Sequence, residues 1–420
     1  MESNDLLIGL LHAIFTKIHQ DHIPYILFWP AKPKTSGVYS MVTVKRVNGD
    51  KKGMRDFLEL PYSLYKNEKN WCPPLRFERK IFFSPKNPFM QHSEVAFFVA
   101  YKNNQPVGRV TAHRDDNYDN FYNTRQGFFG FYESTENDEV AEKLMHACEE
   151  WVKSREMDSL MGPFNFSTNH EIGFLIQGFD RPPVIMMPYT KPYYPDQLFK
   201  LGYKKEKELL AFWVDRNKEK PELFTVMAKR IARELEGSYE IRTLNMTDLK
   251  SELKIILDIY NEAWNKNWGF VPMTEEEIDG MANQLKHIAL PDFIYILNCE
   301  GEPAAFLLGL PDINNALIHI KSGKLFPSGI FKLLSHRKYI QTGRILLMGV
   351  KSQFRHQGFD FLLYNRLIED SIVKAPKKIK DLELSWILED NQVMVNTLKS
   401  MNADPYKRYL IVKKCLEARE

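Results

Sequence analysis

Residues 96–110 and 293–307 repeat one pattern, and that repeat limits the possible folds more than any other feature. Ala96 to Val110 is an apolar strand, an Asn103-Asn104 turn, Pro106 and a second apolar strand; Phe293 to Leu307 has the same order around Glu300-Gly301 and Pro303. Each reads as a β-hairpin, and the two begin 197 residues apart. Their downstream segments match as well. A strand at Gly127–Tyr132 and a helix over Asp138–Met157, with Val140, Leu144, Ala147, Cys148 and Trp151 on one face, correspond to a strand at Arg344–Val350 and a helix running to Ile372. Each half then closes with a helix and a final strand: Tyr194–Tyr203 and Leu209–Val214 in the first, Gln392–Ala403 and Arg408–Val412 in the second. The pattern predicts a duplicated α/β chain with a mixed sheet.

The expected divisions are a 1–40 extension outside the fold, a first unit at 41–215, a linker at 216–237 and a second unit at 238–420. Leu223, Met227, Ile231 and Leu235 make the linker helical. Met41 opens the first strand pattern, Met41 to Val47, and is the expected start of the folded protein. A length of 420 residues suits two or three domains. The net charge of +3, from 57 basic and 54 acidic residues, is too balanced to imply a nucleic-acid partner. Cys72, Cys148, Cys299 and Cys415 are widely separated and accompany no histidine cluster, so no metal site is expected and a reducing cytoplasm fits. The apolar run Leu6–Phe15 is about half of a bilayer span and follows Glu2 and Asp5, so neither a signal peptide nor a membrane helix is expected.

The stretch Arg344 to Leu363 reads strand, polar turn, amphipathic helix. Such a turn presents unpaired backbone N–H groups at the positive end of a helix, where a diphosphate can sit. Gly358 is expected to let the backbone approach the anion. Arg355-x-x-Gly358-x-Asp360 resembles the acyl-CoA signature of the GNAT acyltransferases, with Asp360 where a small residue is usual. The chain is similar, over nearly everything after Met41, to a group of bacterial proteins with two GNAT-like halves. The supporting stretches include Trp71-Cys72-Pro73-Pro74-Leu75, Gly162-Pro163-Phe164-Asn165, Trp264-x-x-Asn267-Trp268-Gly269-Phe270 and Ser385-Trp386-Ile387-Leu388-Glu389-Asp390-Asn391.

That resemblance implies two tandem GNAT-like domains and transfer of an acyl group from a CoA thioester, by default acetyl-CoA, to a small-molecule amine by direct attack. In GNAT enzymes two parallel strands splay and the thioester lies in the gap. Here the implied strands are Arg344–Val350, with Met348, Gly349 and Val350 facing the pantetheine arm, and Leu382–Leu388. The implied diphosphate loop includes Arg355, His356, Gln357, Gly358 and Phe359. The matching turn of the first half carries Glu133, Glu136 and Asp138 and no glycine, so one donor site per chain is expected.

The tyrosine that commonly protonates the leaving thiolate is replaced by Leu398, and by Leu198 in the first half. Glu389, Asp390 and Asn391 have two readings: proton acceptors at the end of the second strand, or the cap of the next helix. Asn165, Asn169, His170 and Tyr193 line an acceptor pocket or belong to a turn-rich loop, and Trp268 shapes that pocket or packs in a core. The 28 Phe and 19 Tyr keep open long acyl chains, carried on CoA or on acyl carrier protein as in N-acyl amino acid synthases. A non-catalytic ligand-binding protein is the rival class. The chain is expected to act as a monomer or homodimer.

Overall fold

A computed structural model describes residues 41–215, 222–337, 340–373 and 379–416. The expectation for 1–40 lies outside the described residues. The first half runs β1 (Thr43–Arg46), α1 (Lys51–Leu64), α2 (Arg76–Phe82), β2 (Ser93–Lys102), β3 (Gln105–Asp115), α3 (Asp116–Tyr122), β4 (Gln126–Ser134), α4 (Asp138–Lys153) and β5 (Ser159–Gly162). It continues with β6 (Phe164–Asn165), β7 (Glu171–Ile172), β8 (Phe174–Gln177), α5 (Tyr194–Lys200) and β9 (Lys204–Asp215). The second half runs α6 (Glu222–Glu234), β10 (Tyr239–Thr243), α7 (Leu249–Trp264), α8 (Glu275–Ile288), β11 (Ile294–Cys299), β12 (Glu302–Pro311), α9 (Asn314–Leu317) and α10 (Gly329–Arg337). It ends with β13 (Thr342–Val350), α11 (Phe359–Val373), β14 (Asp381–Leu388), α12 (Gln392–Ser400) and β15 (Asp404–Cys415).

Both repeated hairpins form, β2–β3 and β11–β12. Their two-residue turns hold Asn103 and Asn104, or Glu300 and Gly301, at positive φ, the backbone that matches the twist of the flanking strands. Strand alternation then distributes the core. In β11, Ile294 and Ile296 pack toward α7 and α8, whereas Tyr295 and Leu297 pack toward α11, where Phe359, Leu362, Leu363 and Leu367 form the facing stripe. In the first half, Val140, Leu144, Cys148 and Trp151 of α4 meet Ala96, Phe98, Val110 and Ala112. Burial of both faces explains why the central strands read as continuous apolar runs.

The sheet joins the halves in an unexpected way. Its order is β1-β2-β3-β4-β5-β15-β9-β14-β13-β12-β11-β10. The last strand of the chain, β15, therefore lies beside β5 of the first half, while β9, which ends the first half, lies beside β14 of the second. Beside each other, β9 and β15 pair antiparallel from Lys204↔Lys413 to Trp213↔Asp404. Each half completes its sheet with the other half's final strand. The divisions at 215 and 238 are divisions of the sequence, and the sheet runs across them.

Candidate functional site

Each half contains one parallel strand pair that starts together and then separates. In the second half β13 and β14 pair from Thr342↔Asp381 to Ile345↔Leu384 and no further. Beyond that point β13 stays with β12 and β14 stays with β9. The two strands thus form a fork. The β12–β13 register shifts between Leu308 and Gly309, which pair with Leu347 and Ile345, so Leu346 is the extra residue just past the root. A bulge there re-aims the backbone into the gap.

The root itself is polar and fully buried. Arg344 sits opposite Glu383, donates from Nε to Ser385 Oγ (3.1 Å) and from Nη1 to Ile185 O (2.7 Å), and Ser385 Oγ donates to Glu383 Oε1 (2.6 Å). Burial pushes the Glu383 carboxyl up, opposed by Arg344, and the Tyr406 hydroxyl also bonds it. Because Ile185 belongs to the first half, this network ties the fork to the opposite domain.

The fork opens into a cavity of about 2900 Å³. Leu346, Met348, Gly349, Val350, Trp386, Ile387, Leu388 and Asn391 line one side, and Arg355, His356, Gln357, Gly358 and Phe359 line the loop beyond β13. Asn165, Asn169, His170 and Trp268 line the same cavity. The structure therefore brings the expected donor residues and four of the five expected acceptor residues to one space. Tyr193 is elsewhere: its hydroxyl donates to Ser134 O (2.8 Å) and its ring packs on the first core.

Glu389 and Asp390 stand outside the cavity lining, because each carboxylate is held by a lysine of β9. Glu389 accepts from Lys205 Nζ (2.7 Å) and from Glu208 N–H (3.1 Å), and Asp390 accepts from Lys207 Nζ (2.7 Å). Asn391 caps α12 by accepting from Met394 N–H (3.1 Å). The capping reading describes this segment.

The loop after β13 is pinned to α7. Arg355 Nη2 donates to Ala263 O (2.9 Å), and Ser352 N–H donates to Glu262 Oε1 (2.7 Å). Gly358 has φ +79°, and a Cβ there would come within 2.5 Å of Ile231 Cδ1. The glycine thus admits α6 against the loop, a packing reason different from the close anion approach expected of it. The Asp360 carboxyl is raised by burial and opposed by hydrogen bonds from the backbone N–H groups of Phe361 and Asp360 itself, so it partly serves the start of α11.

A short chain of contacts links the first-half loop to β13. Tyr260 Oη donates to Asn169 Oδ1 (3.2 Å), the Tyr260 ring lies 5.4 Å from that of Trp264, and Trp264 Nε1 donates to Met348 O (3.0 Å). Next to Asn169, His170 Nδ1 is 3.0 Å from Ser167 Oγ, and burial pushes its imidazole down to about 4, so the ring is neutral at pH 7. Deeper in, Arg79 Nη2 donates to Glu171 Oε1 (3.1 Å) and Asn165 Nδ2 donates to Glu171 Oε2 (3.1 Å). The Glu171 carboxyl resists burial because Arg79 and Asn165 hold it low. Tyr260, Arg79 and Leu346 were given no role of their own in the site by the sequence. An aromatic near the end of a helix, an arginine beside Phe82 and a bulge position carry no signature of their own.

The cavity wall holds one cysteine, Cys72, whose thiol burial pushes far up and which lies 3.8 Å from Asn314 O. A thiol held protonated is a poor nucleophile. Among the described residues no cluster of three or more His, Cys, Asp or Glu side chains is placed to hold a metal ion.

Comparison with known proteins agrees with this architecture. No protein-family model matches the chain. The structure superposes on a tandem GNAT protein from the clavulanic acid biosynthesis pathway with a TM-score of 0.55 at 11% identity, covering 90% of this chain and all of that one. It also matches the glucosamine N-acetyltransferase region of a fungal multi-domain β-N-acetylglucosaminidase, with a TM-score of 0.53 at 11% identity, covering 91% of this chain and 40% of that one. These set the fold class: two tandem GNAT-like halves of mixed α/β architecture. Two relatives are nearer in sequence. Protein YghO of Escherichia coli is 38% identical over 370 residues, 87% of this chain and 93% of its own, and the bacterial ceramide synthase of Caulobacter vibrioides is 32% identical over 373 residues, 86% of this chain and 95% of its own. The chain belongs to their family.

Proposed function

We propose that this protein transfers a long acyl group from a phosphopantetheine thioester to the amine of an amphiphilic acceptor, such as a long-chain amino alcohol or amino ketone. The observation that carries this reading is the single cavity in which the second half's fork and the first half's Asn169-His170 loop face each other, linked through Tyr260, Trp264 and Met348. A volume of about 2900 Å³ exceeds the ~300–1,000 Å³ typical of small-ligand sites, which suits two long chains better than acetyl and a small amine. The printed name of the Caulobacter relative, a ceramide synthase, points the same way.

In this reading the diphosphate of CoA lies against the loop from Arg355 to Phe359, and the pantetheine runs along Met348 to Val350. The thioester carbonyl sits at the bulge of Leu346, where a backbone N–H polarises it. The amine enters from the first half and attacks directly. With Nδ1–H donated to Ser167, the Nε2 lone pair of neutral His170 accepts a hydrogen bond from the attacking N–H and orients it, and the proton of the tetrahedral adduct passes to water. The thiolate then leaves with no acid beside it, since Leu398 is fully buried in the core. A thiol with a pKa near ~8.5 leaves adequately unaided.

The test is release of free CoA from a series of acyl-CoAs of increasing length, with and without a long-chain amine, alongside the same acyl groups on acyl carrier protein. Amine-dependent release that rises with chain length and falls roughly 10²-fold in kcat in a His170→Gln variant of unchanged melting temperature supports the reading. Saturable binding of acyl-CoA with no release for any amine would favour a ligand-binding role. Asp360, which already serves the amides at the start of α11, is the feature that favours that second reading.

A further inference from the structure

The cavity has an exposed apolar rim. The start of α2 and the segment before α10 lie side by side, since Arg76 N–H donates to Gly323 O (2.9 Å) and Arg76 Nε donates to Ser322 O (2.7 Å). Across this face five large apolar side chains meet solvent: Phe77, Ile81, Phe326 and Leu334 are 40–49% exposed and Phe331 is 71% exposed. All but Phe331 also line the cavity, so the patch is continuous with the interior where the acyl chain and its acceptor would lie. Isolated exposed hydrophobes are ordinary, but five gathered at the mouth of an apolar cavity are not.

Cations are interleaved with them. Lys80 follows Phe77 on α2, Lys324 precedes Phe326, and Lys86 lies on the cavity rim, and among the described residues no carboxylate pairs with any of the three. Of the acids on this face, Glu59 is paired with Arg76, and Glu78 is exposed on α2 between Phe77 and Lys80. No helix among the described residues is long and apolar enough to cross a membrane. Apolar side chains set among lysines, on elements too short to span, match the interfacial zone of a bilayer whose lipids carry negative charge.

From this arrangement we infer that the face formed by Phe77, Ile81, Phe326, Phe331 and Leu334 docks on anionic bilayers, so that amphiphilic substrates pass between membrane and cavity without crossing water. The inference rests on the proposed function, because an amphiphile held in a bilayer is what gives the open rim its purpose. A second copy of the chain seated on this face would close the mouth that the substrate uses, which is why the bilayer is the chosen occupant.

The experiment is sedimentation of the full chain with vesicles of neutral phosphatidylcholine or of phosphatidylcholine mixed with phosphatidylglycerol, at low and at high salt. The wild type should partition onto the anionic vesicles, more weakly as salt rises. A Phe77→Ser/Ile81→Ser/Phe331→Ser/Leu334→Ser variant and a separate Lys80→Glu/Lys324→Glu variant should each partition roughly tenfold less or weaker still. All of these side chains are exposed, so the melting temperatures of both variants should stay within a few degrees of the wild type.

Equal binding by wild type and both variants would overturn the inference, as would no binding to either vesicle. A concentration-dependent wild-type dimer that the serine variant abolishes would overturn it too, by assigning the patch to a second copy. If the wild type releases no CoA with any amine yet binds vesicles through this patch, the proposed function falls while the docking face stands. If it turns over water-soluble pairs but ignores vesicles, the reverse holds.

Discussion

The two forks differ in what fills them. In the first half β4 and β5 pair from Gln126↔Ser159 to Phe128↔Met161 and then part, as β13 and β14 do. There the chain plugs its own gap. Asn165 Oδ1 accepts from Phe131 N–H (2.7 Å), and a Cβ on Gly130 would overlap the Phe164 carbonyl, so β6 lies directly on the strand a thioester would use. In the second half the strand edge past Ile345 faces open space. Both forks end on an apolar pair, Phe128↔Met161 and Ile345↔Leu384, but the buried polar pair below it is the neutral Gln126–Ser159 in the first half and the ionisable Arg344–Glu383 in the second. The same fold thus yields one filled fork and one open fork. The backbone already lying in the first gap is a stronger obstacle to a thioester than the acidic turn from which a single donor site was expected.

The root of the open fork offers the largest effect. An Arg344→Met variant leaves the Glu383 carboxyl buried without its cation, a loss worth ~3–5 kcal/mol in comparable buried pairs. Met161→Leu at the filled fork changes shape but little volume and should cost less than ~1.5 kcal/mol. Urea denaturation of both variants measures the contrast. A cost below ~1 kcal/mol for Arg344→Met would mean that the charged root does not hold the fork.

Local signals made most of the fold legible. Asn103-Asn104 and Glu300-Gly301 announced their hairpins because a two-residue turn restricts chemistry to residues that tolerate positive φ. The stripe on α4 and that on α11 fixed two helices by periodicity, and α6 appears where Leu223 to Leu235 placed it. The exchange of β9 and β15 was invisible. Only Leu209–Val214 of β9 and Tyr409–Val412 of β15 read as apolar runs, and so short a run carries no mark of which neighbour it will pair with. The loop from Arg355 to Phe359 was legible as a strand-to-helix turn because its pattern is contiguous, and it lines the cavity. At Glu389 and Asp390 the sequence left two readings open, because Lys205 and Lys207 are nearly two hundred residues away and reach the carboxylates only once β9 lies beside β14. Exposure of a carboxylate to a lysine is a tertiary fact.

The plug in the filled fork can be loosened. Asn165→Ala removes the acceptor of the Phe131 N–H and one donor to Glu171, and an unsatisfied buried amide costs ~1–3 kcal/mol. Calorimetric titration with an acyl-CoA should still find one site per chain, since Phe164 continues to occupy the gap. A second equivalent of bound ligand in this variant would show that the two forks differ by a single side chain, and the contrast drawn between them would collapse.

The smallest effect concerns how the halves are held around the cavity. His92 Nδ1 is 2.9 Å from Asp115 Oδ1, and its Nε2 is 3.5 Å from Glu277 Oε1 of α8, so the ring joins a first-half strand to a second-half helix. Burial opposes the charged ring, but the two carboxylates outweigh it and raise its pKa to about 10. A group raised above its unfolded value of ~6.5 gives its full stabilisation below that pH and loses it as pH climbs toward 10. Discounted for solvent screening at a partly accessible site, the loss should be about 1–2 kcal/mol. Melting curves between pH 6 and pH 10 should therefore fall more steeply for wild type than for His92→Gln, which carries no titrating ring. Parallel curves would mean that the link between the halves rests on the exchanged strands and not on this charge.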